Sequence, residues 1–128
     1  MGWGDEQRPQ FVMSTGGRYD PVARTWSPIS ANAAPSARFA YPLQALWTGR
    51  EIIIWGGADS VSPGNSVNTG KRYDPACDCW LDMTQTGAPG PRFNMGFVWT
   101  GQSVIVPGGS SYNASYTDTF FYTPPRGD

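Results

Sequence analysis

The sequence predicts an all-β fold built from repeated four-stranded sheets. Three observations carry that expectation. The first is a high content of turn formers, with 16 glycines and 12 prolines in 128 residues. The second is a combination of 14% aromatic with only 15% charged residues, which suits short buried strands better than solvated helices. The third is an internal repeat. Arg18-Tyr19-Asp20-Pro21 recurs 54 residues later as Arg72-Tyr73-Asp74-Pro75, and Trp26, Pro35, Arg38 and Phe39 recur at the same spacing as Trp80, Pro89, Arg92 and Phe93. Trp47-Thr48-Gly49 returns after 52 residues as Trp99-Thr100-Gly101, as does Gly56-Gly57 as Gly108-Gly109. Tyr73 and Pro75 return after 49 residues as Tyr122 and Pro124, and Gly2-Trp3-Gly4 echoes Ile54-Trp55-Gly56.

Each part of the period has a structural assignment. Phe39–Trp47 is an apolar stretch read as a buried strand, and Thr48-Gly49 is a tight turn. Glu51–Trp55, dense in isoleucine, is a second strand suited to a sheet covered on both faces. Gly56-Gly57 ends it, and Asp59–Asn68 is a polar loop. Lys71–Tyr73 is a third strand turned by Asp74-Pro75. Cys79–Met83 is a fourth, anchored by Trp80, and Gly87–Pro91 leads into the next period. Pro107 stands where the repeat has Trp55 and removes a hydrogen-bond donor from its strand. Four short antiparallel strands per period make the blade of a β-propeller.

The diglycine, followed by a tyrosine and then a tryptophan about six residues on, resembles the kelch repeat, whose period is about 50 residues. The Trp-Thr-Gly, Trp-Gly-Gly and Arg-Tyr-Asp-Pro wording is similar to kelch repeats of bacterial proteins. The chain reads as one kelch-repeat domain over residues 1–128. Residues 10–29 supply strands c and d of one blade, 38–83 a full blade, and 92–124 strands a to c of another. The repeated Tyr19, Trp26, Gly56, Gly57, Tyr73, Trp80, Gly108, Gly109 and Tyr122 are its structural signature, with the aromatics expected in the core. About two blades cannot close a ring of ~4–8. A head-to-tail homo-oligomer is therefore expected, with three chains giving six blades as the favoured number. In that expectation the C-terminal hairpin of one chain completes the N-terminal hairpin of the next.

The resemblance implies a binding role rather than catalysis. In some peptide-binding kelch proteins an arginine at the Pro-x-x-Arg step faces the channel mouth, which marks Arg38 and Arg92 as candidates for capturing an acidic peptide or protein segment. Their alternative role is to tie loop carbonyls between blades. Arg18 and Arg72 read as blade-to-blade hydrogen bonders or partners of Asp20 and Asp74. The loops after the diglycines differ in sequence and carry Asp59, Asn65, Ser110, Tyr112 and Asn113, the remaining candidate ligand-binding residues. Asn113-Ala114-Ser115 also fits a glycosylation acceptor pattern. Two other readings stay open: a carbohydrate-binding or glycan-processing propeller, and a designed or truncated piece without a ligand of its own.

Composition excludes several chemistries. The sequence has no histidine, so the commonest general base and metal ligand are missing, and the copper sites of kelch-fold oxidases have no counterpart. No nucleophile–base pair, phosphate loop or metal cluster stands out, so no enzyme activity, metal or cofactor is expected. A formal charge of −1 offers no field for nucleic acid or an anionic membrane. No apolar run approaches the ~20 residues of a membrane span. Met1–Gln10 lacks the apolar core of a secretory signal, so the chain is expected in the cytoplasm if it is the full product, or else has lost a leader. Cys77 and Cys79, two apart on an expected strand, read as packing or surface thiols, with a bond to another chain as the alternative.

Overall fold

The computed structural model describes residues 15–38, 45–59 and 65–125. Its strands, in chain order, are β1 (Gly17–Asp20), β2 (Thr25–Pro28), β3 (Ala45–Trp47), β4 (Ile52–Trp55), β5 (Gly70–Asp74), β6 (Cys79–Asp82), β7 (Val98–Trp99), β8 (Val104–Pro107) and β9 (Thr119–Tyr122). Every pairing is antiparallel and joins strands that follow one another in sequence. They form three meandering sheets, β1-β2, β3-β4-β5-β6 and β7-β8-β9, and no helix occurs among the described residues. The fold is all-β. Of the expected strand Phe39–Trp47 only Ala45–Trp47 is described; Phe39, the Gly2-Trp3-Gly4 echo and residues 10–14 lie outside the described residues.

Strand register decides which side chains meet. In the second sheet Leu46, Ile53, Arg72 and Leu81 are cross-strand neighbours on one face, and Trp47, Ile52, Tyr73 and Trp80 on the other. In the third sheet Trp99, Val104 and Tyr122 share one face, and Val98, Ile105 and Phe121 the opposite one. The core forms where the first face of each sheet meets. Ile53 and Trp55 pack with Met95, Val104 and Val106, and Leu46, Met83, Phe97, Trp99, Phe120 and Tyr122 close around them.

Within the second sheet, beside this interface, Arg72 donates two hydrogen bonds to the Glu51 carboxylate, at 3.1 and 3.0 Å, with side chains only 12% and 7% exposed. Arg72 also donates through Nε to the Asp82 carbonyl. Tyr122 is close enough to feel both ions: burial pushes its phenol above the ordinary pKa, against the pull of Arg72 and with the help of Glu51. The partner expected for Arg72, Asp74, instead accepts the Ala76 amide of its own turn. Asp20 likewise accepts the Val22 and Ala23 amides.

The first hairpin joins the second sheet by polar bonds. Arg18 donates to the Pro75 carbonyl, Trp80 Nε1 donates to the Ser30 carbonyl at 2.8 Å, and the Ser30 amide donates to Asp78 Oδ1 at 3.0 Å. Tyr73 completes this clasp by donating its hydroxyl to Asp78 Oδ1 at 2.6 Å. Burial and that bond raise the Tyr73 phenol pKa, while the nearby Arg18 lowers it. Tyr19 and Trp26 stack on each other with ring centroids 5.2 Å apart, yet they stay 50% and 73% exposed rather than entering the core.

The cysteines depart from expectation. Cys77 and Cys79 are joined in a disulfide and do not stand as free thiols. The cause is Asp78, whose φ of +51° turns the chain back between β5 and β6. The two Cα atoms come to 5.2 Å, whereas strand residues two apart lie at about 6.7 Å.

Breaking the buried Glu51–Arg72 pair from one side leaves an uncompensated charge. Glu51→Ala is expected to cost about 3 kcal/mol in urea unfolding, and the double change Glu51→Leu, Arg72→Met to recover most of it. Equal stability of Glu51→Ala and the parent chain would contradict the assignment.

Candidate functional site

The site is built on the diglycine turns. Gly56 and Gly57 have φ of +76° and +98°, and Gly108 and Gly109 have +62° and +104°, a conformation that side chains with a Cβ rarely take. At Gly56 a Cβ would also lie 2.9 Å from the Arg92 carbonyl oxygen. These turns eject the chain from β4 and β8 into the loops that precede β5 and β9.

Arg38 and Arg92 pin the two turns in the same way. Arg38 Nε donates to the Ser36 carbonyl at 3.1 Å, and Nη1 to the carbonyls of Gly56 at 3.2 Å and Thr69 at 2.7 Å. Its Nη2 reaches the Ser36 and Thr69 hydroxyls. Arg92 Nε donates to the Gly90 carbonyl at 3.1 Å, and Nη1 to the Gly108 carbonyl at 3.0 Å and Asp118 Oδ1 at 2.7 Å. Each guanidinium thus ties the residue two before it, the first glycine of the turn and the residue just before the next strand. Arg92 is 1% exposed and lies under the Tyr116 ring, 4.1 Å from its centroid, with Phe120 at 5.3 Å. The hydrogen bond from Arg92 holds the Asp118 carboxyl below its ordinary pKa, against a smaller effect of burial.

The two loops stand side by side. In the first, Asp59 accepts both the amide and the side-chain nitrogen of Asn65, at 2.8 and 3.2 Å, closing the loop base. In the second, Ser110 exchanges backbone bonds with Phe93, and Tyr112 packs its ring on Phe93 at 5.1 Å while remaining 45% exposed. Ser111 Oγ accepts the Asn113 amide. Between the loops lies an open cleft of about 270 Å³, lined by Asn65 and Ser66 on one side and by Ser111, Tyr112, Asn113 and Tyr116 on the other, together with Pro91. The Ser66 hydroxyl is buried without a hydrogen-bond partner.

Of the residues singled out from sequence, the fold brings Asn65, Tyr112 and Asn113 to this cleft. Asp59 braces Asn65, and Ser110 serves the backbone next to the cleft wall. Arg92 lies behind Tyr116, and Arg38 lies at the other diglycine turn. Ser111 also belongs to the polar residues that the sequence offers in these loops, whereas Ser66 and Tyr116 of the same loops carry no such signal. Asp118 carried no sequence signal, because its partner lies 26 positions away.

Two other clefts have less to offer a ligand. An apolar crevice bordered by Ile53, Trp55, Phe97, Val104 and Phe120 is the open side of the core itself. A wider one runs between the Thr48–Glu51 and Gly101–Ser103 turns. There Thr48 and Thr100 each accept two amides of their own turn. Among the described residues no three His, Cys, Asp or Glu side chains are grouped to hold a metal ion, and no helix is long and apolar enough to cross a membrane. No protein-family model matches the chain, and no curated protein is significantly similar to it.

Asp118 supplies a pH test of the pinning. A depressed folded-state pKa contributes stability above the unfolded value of about 3.9 and loses it as pH falls through the lower folded value. Arg92→Ala should return the Asp118 carboxyl to the ordinary range by NMR titration and remove this acid-sensitive component. The same change should lower stability by about 2–3 kcal/mol, because the half-buried Gly108 carbonyl loses its donor and the space of the buried Arg92 side chain is left unfilled. An unmoved Asp118 titration would refute the pairing.

Proposed function

We propose that the chain is a non-enzymatic recognition scaffold, made of kelch-type propeller sheets, that docks a peptide or protein segment in the cleft between its two post-diglycine loops. The observation that carries this reading is the juxtaposition of two loops of different sequence on turns pinned identically by Arg38 and Arg92. Such an arrangement keeps the frame constant while the recognition surface varies. The kelch assignment draws on the sequence repeat and agrees with consecutive antiparallel sheets packed face to face. Self-assembly into a ring belongs to the same proposal, because the three sheets of the described residues fall short of the ~4–8 blades of closed propellers.

The chemistry of the cleft narrows the ligand. Among the described residues its walls carry amide, hydroxyl and phenol groups and no charged side chain. Capture of acidic segments by Arg38 and Arg92 would require those guanidinium groups to release backbone carbonyls, so recognition falls to the neutral groups. A second reading, carbohydrate recognition, is favoured by the exposed Tyr112 ring beside Asn65 and Asn113, since an aromatic face flanked by amides also suits a sugar ring.

A phage-displayed library of short random peptides, selected on the parent chain, tests the first reading, and a glycan array tests the second. Selected peptides should lose about tenfold or more in affinity on Tyr112→Ala and on Asn113→Ala, and little on Arg50→Ala, which lies outside the cleft. Peptides that bind all three variants as well as the parent would contradict the cleft assignment. Glycan hits without peptide enrichment would transfer it to sugars.

A further inference from the structure

The two junctions between sheets follow one pattern of facing positions, and that pattern predicts a third. Arg18, Arg72 and Phe121 occupy equivalent strand positions, as do Tyr19, Tyr73 and Tyr122. At the first junction Arg18 of the first sheet lies beside Tyr73 of the second. At the next, the Arg72-bearing face of the second sheet packs on the Tyr122 face of the third, where the Arg72 charge acts on Tyr122 without a hydrogen bond to its hydroxyl. Phe121 and Tyr19 are what remain, one at each end of the series. Both are solvent-facing: Phe121 is 69% and Tyr19 50% exposed, and their neighbours Val98 and Trp26 are 54% and 73% exposed. Large apolar side chains gathered on a surface mark an interaction face.

The two open faces are of complementary kinds. The face of the third sheet bearing Val98, Ile105 and Phe121 corresponds to the face of the second sheet bearing Leu46, Ile53 and Arg72, which packs on the third sheet. The Tyr19–Trp26 face corresponds to the Tyr73–Trp80 face, which meets the preceding hairpin. The charged member at the inner junctions is replaced by phenylalanine at the outer one, where its counterpart is an aromatic pair.

We infer that the Phe121 face of the third sheet docks on the Tyr19–Trp26 face of a second copy of this chain, and that two chains close on each other through two such contacts. This rests on the self-assembly reading above and specifies its surface and stoichiometry. A head-to-tail contact of this type closes when the rotation permits. The described residues of each chain form three sheets, of two, four and three strands, so two chains bring six sheets, whole or partial, to a ring and three chains nine, against the ~4–8 of closed rings. Three chains would require one chain's terminal hairpin to merge into another's sheet. The free edge of β8 that such merging needs is already taken by β9.

Native mass spectrometry and light scattering of the full chain test this, with Phe121→Glu, Trp26→Glu, and a photo-crosslinking benzoylphenylalanine in place of Phe121. The parent should run at twice the 13.9 kDa chain mass. Each glutamate variant should raise the dissociation constant roughly tenfold or more, with unchanged circular dichroism because both side chains are exposed within one chain. The crosslink should map to Gly17–Pro28 of the other copy. A parent that stays single at all concentrations overturns the assembly reading and this inference together. A parent that assembles, while both variants assemble equally well and the crosslink maps elsewhere, overturns the inference alone. A mass of three chains overturns the two-chain closure. Should a variant lose its fold, the crosslink position decides.

Discussion

A guanidinium set against the carbonyl of a diglycine turn is the contact on which the rest of this structure depends. Arg38 holds Gly56 and Arg92 holds Gly108, each while bonding its own chain two residues back. The two pins are linked, because the Gly57 amide donates to the Arg92 carbonyl at 3.0 Å. A polar path therefore runs from Arg38 through the first diglycine to Arg92 and on to the second. Arginine suits this work because its planar fork reaches several acceptors in fixed directions, which a lysine ammonium on a flexible stem does not. The glycines suit it because their positive φ aims the carbonyls at the fork.

The dry part of the structure sits beside that path. Ile53, Trp55, Val104 and Val106 bury the interface of the second and third sheets, and Glu51–Arg72 sits beside it on the second sheet as a paired charge. The first hairpin has no share in this core. It is held by the Asp78 clasp and a few bonds to exposed carbonyls, so it belongs to the less stable end of the molecule. The disulfide keeps Asp78 in its left-handed turn, where both Ser30 and Tyr73 reach it. The proposed recognition role follows the same division: the pinned turns are constant, and the loops above them differ and border a cleft of neutral polar groups.

Much of this was legible in the sequence because repetition exposes positions that do the same job. The diglycines, the Tyr73–Trp80 stack at 5.0 Å and the matching Tyr19–Trp26 stack all fall where the repeat puts them. Strand limits moved by a residue or so, as with Lys71–Tyr73 becoming Gly70–Asp74. What was not legible depends on conformation or on distant partners. Nothing in Cys77-Asp78-Cys79 announces the left-handed residue that turns a strand into a bridged corner. The exposure of Tyr19 and Trp26 is set by what stands beyond their hairpin. Arg72 has aspartates close in sequence, yet its partner is Glu51, brought near by pairing of β4 with β5. The cleft was half legible: variability marked its loops, but only folding shows that Asn65, Tyr112 and Asn113 meet.

Native-state hydrogen exchange at the Gly57 amide is the most direct measurement of the linked path. This group lies in a turn outside any strand, so its protection reports the bond to the Arg92 carbonyl and little else. The structure predicts that it exchanges as slowly as the amides of β4 and β8, opening only with the whole molecule. Exchange at the rate of an unprotected loop, with those strands still protected, would contradict the account.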